Sequence, residues 1–416
     1  YQRSRGLGDV YKRQIISSSD ALSEYLSNNV QVLDAVIGGA FWHEWPGLDV
    51  LREDLAIILR RETDYESQLN ASRRWGREWH FRIGVHLLRG VITPEEAGTQ
   101  YGDLALAMLK ELWCLVNTQF SIKHGPAPGR GSALIGLGSL GIKKLHPKSD
   151  LDLILIYDAA GVEMSSGEKS IESRSYYARL TKALVAAISA PMNEKSLFHV
   201  DMRLRPSGNQ GPVATSLQAF KHYQTSEAWV WEHLALVNAT IVAGPEILQT
   251  DISRFCESLK TLRSEKNVMA GLSIMRNRLF SPSNINKKWS MKLGQGKLQD
   301  IELASQMGII LINEGVSGVH NGLIALQKLK KICAEDLAYL IKTYDMLLGV
   351  QILSKLLLKD DIKDSELGVN GKDLFLKYTD TPSVPLLVEK ISEMAFNSSV
   401  IIGNILPNSK EVHDER

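Results

Sequence analysis

The sequence predicts an α+β protein: a small mixed sheet held between helical regions, followed by a C-terminal helical bundle. Three observations predict it. Up to about residue 122 the apolar residues recur with helical spacing. The Gly/Pro-rich stretch Lys123-His-Gly-Pro-Ala-Pro-Gly-Arg-Gly131 then breaks that pattern. Beyond it come short apolar runs bounded by turn residues, as buried strands require, before helical spacing returns. The chain's 416 residues exceed one ordinary domain, since domains run to roughly 100–200 residues.

In order along the chain, residues 15 to 122 read as helical. Thr93-Pro-Glu-Glu96 supplies an N-cap, a proline at the first helical position and a glutamate three residues after the cap. Leu104, Leu106, Leu109, Leu112 and Leu115 extend an apolar stripe from it. Ala133–Leu137 and Leu151–Tyr157 read as strands, and 172–189 as a helix through Tyr177, Leu180, Leu184 and Ile188. Val200–Leu204 reads as a further strand, stopped by Pro206-Ser-Gly208. From about 215 onward the pattern is helical, with a leucine-rich hairpin over Ala325–Leu358. The predicted units are a leader at 1–14, a helical region at 15–125, a sheet-bearing domain at 126–262 and a helical bundle at 263–410.

Composition excludes several classes. Forty-eight basic against 47 acidic residues give a net charge of +1, which is not that of a strongly basic nucleic-acid binder. Cys114, Cys256 and Cys333 are odd in number and far apart, against a disulfide framework or zinc ribbon and in keeping with a reducing cytoplasm. No apolar run reaches the roughly eighteen residues a membrane span needs. Residues 1–14 lack Met, periodicity and an apolar core, and read as a non-native leader on a chain truncated at its N-terminus. That leader carries four bases and one acid, so without it the net charge falls from +1 to −2.

Gly136-Leu-Gly-Ser-Leu-Gly141 matches the dinucleotide-binding G-x-G-x-x-G, with Asp158 at the end of the next strand. A parallel crossover, however, needs a helix of about ten residues or more. Only Ile142–Ser149 intervene here, and Pro147 interrupts them. Asp150 and Asp152 would also enter a buried parallel strand with nothing to neutralise them. The segment is better read as a strand, a Gly138-Ser139 turn, a basic loop and a second strand opened by Asp150-Leu-Asp152.

Strand alternation puts Asp150 and Asp152 on one face. Two adjacent carboxylates raise each other's pKa unless a cation lies between them, and Mg²⁺ is the natural hard-oxygen partner. Asp201 opens the Val200–Leu204 strand, and alternation would place Asp201, Arg203 and Arg205 together, the two arginines suited to phosphate oxygens. Acid pairs alone are common at strand entrances. Joined by Gly138-Ser139 and Asp201-x-Arg-x-Arg205, this pair makes the nucleotidyltransferase pattern: a turn for a triphosphate and three carboxylates for two metals.

Ser149-Asp-Leu-Asp-Leu-Ile-Leu-Ile-Tyr-Asp158, Asp201-Met-Arg-Leu-Arg-Pro-Ser-Gly208 with Gly211-Pro-Val-Ala-Thr-Ser216, Ala228-Trp-Val-Trp-Glu-His233, and Trp289 through Glu302 carry a more specific likeness. Together they resemble the bifunctional glutamine synthetase adenylyltransferase/adenylyl-removing enzymes, over about residues 20 to 410. The Trp-x-Trp-Glu-His form resembles the C-terminal, adenylylating half, in which case the chain is part of a larger enzyme. The resemblance implies a polymerase-beta-like nucleotidyltransferase domain and transfer of AMP from ATP to a tyrosine of glutamine synthetase in the cytoplasm. It implies Asp150, Asp152 and Asp201 as catalytic metal ligands for Mg²⁺, and Gly138, Ser139, Arg203 and Arg205 as nucleotide contacts. It further implies the PII signalling protein as partner and glutamine as effector, with no nucleic acid and no membrane. Phosphorolytic removal of AMP, or nucleotide binding without turnover, are the alternatives. The chain departs from the family at Ser139, Lys144, Asn238 and Lys297, where a lysine, a glutamate, an arginine and a second glycine are common.

Other residues point to packing first. Trp229 and Trp231 are expected in the core or between domains. His233 is open between the site and a structural pair with Glu232, and His199 is expected to cap or pack. Lys143, Lys144, His146 and Lys148 form a basic loop, solvated or steering ATP. Asp300 and Glu302 are candidates to reach the nucleotide from the helical bundle.

Overall fold

The computed structural model describes residues 39–189, 196–280, 290–358 and 369–406. The leader, the predicted helical residues before 39, and Trp289 lie outside the described residues. Three helices come first: α1 (Leu48–Arg61), α2 (Tyr65–Leu88) and α3 (Pro94–His124). Leu51, Leu55 and Leu59 of α1 are buried at a four-residue spacing, one face of a helix. The expected capping box opens α3: Thr93 Oγ1 accepts from the Glu96 N–H at 3.2 Å, and the Thr93 N–H donates to Glu96 Oε2 at 2.7 Å. Leu104, Leu109 and Leu112 are buried along α3.

The sheet follows. Strands β1 (Gly131–Gly136) and β2 (Leu151–Asp158) are antiparallel, joined through the one-turn helix α4 (Gly138–Gly141). That pairing removes the dinucleotide-binding reading, which requires parallel neighbours. After α5 (Ser173–Ser189), β3 (Val200–Asp201) and β4 (Thr215–Ser216) both pair parallel to β2, one at each end of its free edge. Helices α6 (Leu217–Ser226) and α7 (Val230–Leu236) lead to β5 (Thr240–Ala243), antiparallel to β1. The order is β3-β2-β1-β5, a five-stranded mixed sheet with β4 also on β2.

Both faces of this sheet are covered, which is why β1 and β2 read as continuous apolar runs. Leu134, Leu153 and Leu155 join the large core with α3 and α5, while Ala133, Ile135, Ile154 and Ile156 meet α6 and the following helix α8 (Glu246–Leu259). The rest is helical: α9 (Glu265–Leu279), α10 (Leu298–Ile312), α11 (Val319–Lys328), α12 (Ala334–Leu357), α13 (Val369–Thr379) and α14 (Val384–Ile405). The chain is thus mostly helical around a small mixed sheet, as expected for an α+β protein.

Three expectations need correction. The predicted strand Val200–Leu204 stops at Asp201, because the Asp201 side chain accepts from the Arg203 N–H at 2.8 Å and turns the chain. The stretch after 215 is not all helix, since Thr240–Ala243 completes the sheet; its β-branched Thr-Ile-Val run before Gly244-Pro245 was the available signal. The leucine-rich hairpin is α11 with α12, so its first arm begins at Val319, ahead of Ala325.

The basic loop is docked, not solvated. Leu145 is buried and its N–H donates to Gly98 O at 3.1 Å. Lys144 Nζ reaches Glu95 O at 3.1 Å and Thr99 Oγ1 at 2.7 Å, both on α3. Lys148 Nζ donates to Leu358 O, at the end of α12, at 2.7 Å. This loop therefore ties the sheet to the helices on either side, and Lys144 and Lys148 have their charges engaged there.

Candidate active site

The parallel pairing of β2 with β3 sets Asp152 directly beside Asp201, so the two carboxylates leave neighbouring strands at one level. Asp150 stands two residues before Asp152, exposed at the entrance to β2. The three acids predicted from sequence therefore stand at one end of the sheet.

Their electrostatics differ. Burial pushes the Asp152 carboxyl up to about 6, and the charges of Asp201 and Asp150 push the same way, against the attraction of Lys292 and Arg203. Asp201 goes the opposite way. The Arg203 side chain holds it below the usual carboxylate range, with Nε at 2.7 Å and Nη2 at 2.5 Å from Oδ2. Arg203 is itself largely exposed and feels all three acids.

Gly138 closes the site from the β1 side. Its φ is +55°, and a Cβ placed there would lie 2.4 Å from Asp152 Oδ2. Only glycine lets the turn approach the carboxylate this closely. Gly138→Ala is expected to destabilise the fold by about 1–2 kcal/mol through its left-handed backbone. It should also displace Asp152, so that an activity resting on that carboxylate falls further than the loss of folded protein; thermal melts with matched activity assays check this. Ser139 follows on the same turn, its carbonyl accepting from the Lys144 N–H at 3.0 Å.

Arg205 is placed differently from expectation. Because β3 ends at Asp201, the alternation that would align Arg205 with Asp201 is absent. Its guanidinium bonds Met202 O at 2.7 Å, Asn209 O at 3.2 Å and Gly211 O at 3.2 Å, and so shapes its own loop.

The residues expected to pack divide likewise. Trp229 is exposed at the start of α7, with Arg278 5.7 Å from its ring centroid, so it is not core; Trp231 is half-buried. His233 is buried but does not pair with Glu232. Its Nε2 lies 2.8 Å from Gln224 O and its Nδ1 accepts from Arg263 Nε at 3.3 Å. Glu232 instead accepts from the Trp229 N–H and the Tyr223 hydroxyl, both at 3.1 Å. His199 has an exposed side chain and gives its carbonyl to the Leu151 N–H at 2.8 Å. Asp300 is consumed inside the bundle by Arg276. Glu302 is different: Lys292 influences both it and Asp152, which places the two acids around one lysine. Sequence reasoning missed Lys292, although it stands in the quoted stretch from Trp289 to Glu302.

Among the described residues no three metal-ligating side chains are already drawn together, since the Asp201 oxygens are turned to Arg203. The donors nevertheless fit Mg²⁺. All three are carboxylates, and Asp152 sits partly buried beside two like charges, an imbalance that a hard cation would relieve.

A glycine turn, an acid-x-acid pair and a third acid abreast of the second thus stand together at one end of the sheet. The chain belongs to the glutamate-ammonia ligase adenylyltransferase family, whose model matches residues 11–254. It is similar to the "bifunctional glutamine synthetase adenylyltransferase/adenylyl-removing enzyme" of Brucella suis, at 37% identity over 298 residues, 71% of this chain and 30% of that protein. The proteins of the same name from Mesorhizobium japonicum and Agrobacterium fabrum are 33% and 32% identical, over 91% and 92% of this chain and 39% of each of those proteins. The chain thus spans well under half the length of these relatives. No described helix is long and apolar enough to cross a membrane.

Proposed function

We propose that this chain transfers AMP from ATP to a tyrosine hydroxyl of glutamine synthetase, releasing pyrophosphate. The observation that carries the reading is the register of Asp152 with Asp201 on parallel strands, with Gly138 pressed against Asp152. On this reading the sheet is a polymerase-beta-like nucleotidyltransferase domain at 126–262, between a helical region at 15–125 and a bundle at 263–410. It acts in the cytoplasm as the adenylylating part of a larger enzyme, under control by glutamine and the PII signalling protein.

Asp150, Asp152 and Asp201 would hold Mg²⁺, which when bound neutralises phosphate charge and stabilises the departing pyrophosphate. Arg203 keeps Asp201 ionised, which suits that carboxylate to binding a cation and makes it a weak proton acceptor. The exposed Arg203 arm is then free to exchange its carboxylate for a phosphate oxygen. Gly138 and Ser139 bring the turn backbone to the nucleotide phosphates, and Arg205 holds the loop that carries Arg203.

The test uses the purified chain with unmodified glutamine synthetase and α-phosphate-labelled ATP, then separately with adenylylated glutamine synthetase and inorganic phosphate. The expected result is Mg²⁺-dependent labelling in the first and no AMP release in the second. Release in the second without labelling in the first would assign the removing activity, and turnover in neither would leave a binding module.

A further inference from the structure

A cavity of about 410 Å³ lies on the α3 side of the sheet, at the opposite end from the three acids. β1 runs from Ser132 beside this cavity to the Gly138 turn, six residues on, about 20 Å at the rise of a strand. The cavity wall includes Arg52, Lys110, Asn117, Ser132 and Gln249, and among the described residues no acidic side chain lines it. Its volume lies within the range of small-molecule sites, roughly 300–1,000 Å³.

Two of these groups lack what they need. Lys110 is half-buried on α3 and makes no hydrogen bond or ion pair among the described residues, whereas Arg52 beside it is bonded to Glu111 at 3.1 Å. Burial holds the Lys110 pKa down, with the Arg52 and Lys143 charges pushing the same way against the attraction of Asp49 and Glu111, neither of which reaches it as an ion pair. Independently, Ser132 is 2% exposed and its hydroxyl has no hydrogen-bond partner among the described residues. An orphaned buried hydroxyl costs about 1–3 kcal/mol, so native structures rarely keep one without a reason.

We propose that this cavity binds a small oxyanion, a compact carboxylate- or phosphate-bearing metabolite, with Lys110 and Arg52 supplying the charge and Ser132 Oγ donating a hydrogen bond. A bound oxyanion satisfies both groups at once: it gives Lys110 its counter-ion and Ser132 its acceptor. The site does not depend on the reaction assigned to the acids.

Calorimetric titration of the whole chain in metal-free buffer, with inorganic phosphate and with glutarate as probes, tests the proposal. At least one probe is expected to bind. Lys110→Met should weaken binding at least about tenfold, through loss of a charged contact, and Lys110→Arg should restore it. Ser132→Ala should weaken it by about two- to tenfold, the range of one hydrogen bond. Arg203→Ala, at the other end of the sheet, should leave it unchanged. Binding of phosphate alone or of glutarate alone identifies the preferred oxyanion and supports the site. The proposal is overturned if neither probe binds, if Lys110→Met binds as the unaltered chain does while both melt alike, or if Arg203→Ala removes the binding.

Discussion

Replacing Asp152 with asparagine is expected to lower AMP transfer on the order of 1,000-fold or more, while the melting temperature at pH 7 stays level or rises. Both outcomes come from one geometry. Asp152 lies between Asp150 on its own strand and Asp201 on the next, with Gly138 against its Oδ2. On the proposed reading a carboxylate there would be the central oxygen donor for a cation, and an amide is a far poorer one. The same crowding makes the ionised side chain costly to the metal-free fold. Its pKa is pushed up to about 6 from an ordinary 3.8, so the folded state holds the proton more tightly than the unfolded chain. Stability from this group is therefore full at pH values below the unfolded pKa and is lost as pH rises through the folded one. Without metal, the variant's advantage in melting temperature should appear at pH 7 and shrink as pH falls from about 6 towards 4. Mg²⁺ should raise the melting temperature of the unaltered chain and do little for the variant. A fall in stability together with activity would instead mean that Asp152 serves the fold.

Much of this site was legible because its information is local. Alternation along β2 and the spacing from Gly138-Ser139 to Asp150-x-Asp152 depend only on neighbours in sequence, and the antiparallel β1–β2 pairing follows from a connection too short for a crossover. The strand carrying Asp201 was harder. Its apolar–polar alternation reads correctly as far as Asp201, but Asp201 itself also ends the strand by accepting from the Arg203 N–H. An aspartate can serve a strand face or cap a turn, and local pattern does not say which. The error then propagated to Arg205, whose three carbonyl partners exist only because the chain turns.

Tertiary partners explain the remaining departures. The charges of the basic loop suggest solvent, yet Lys144 and Lys148 end on carbonyls of segments remote in sequence, at Glu95 and Leu358. Asn238, a departure from the resembling family, is buried and its Oδ1 accepts from the Gly318 N–H at 2.9 Å, linking the turn before β5 to the start of α11. No periodicity encodes such contacts. Lys292 belongs to the same category: its influence on Asp152 and Glu302 arises from how the bundle packs on the sheet.

Asp300→Ala is expected to cost about 3–5 kcal/mol of stability, a melting-temperature drop of roughly 3–6 °C, without removing catalysis from the molecules that remain folded. Asp300 stands two residues from Glu302 and shares its motif, so proximity in sequence suggests a role at the nucleotide. Its surroundings assign it otherwise. Asp300 is 1% exposed, and its oxygens accept from Arg276 Nε at 2.8 Å, Arg276 Nη2 at 2.9 Å and the Gly296 N–H at 2.6 Å. Burial pushes its carboxyl up, and Arg276 and the Gly296 N–H pull it back. Arg276 also donates to Ser399 O at 3.2 Å, so this one ion pair joins α9, α10 and α14. Removing the carboxylate leaves a mostly buried guanidinium with a single carbonyl and orphans a backbone N–H, the costly way to break a buried pair. Replacing both partners by apolar residues, Arg276→Met with Asp300→Leu, should recover much of the loss, since neither charge is then stranded. The two variants are compared by thermal melts, with AMP transfer normalised to folded protein. If Asp300→Ala melted normally but lost AMP transfer, Asp300 would belong to the reaction after all, and the boundary between bundle and active site would lie deeper in α10.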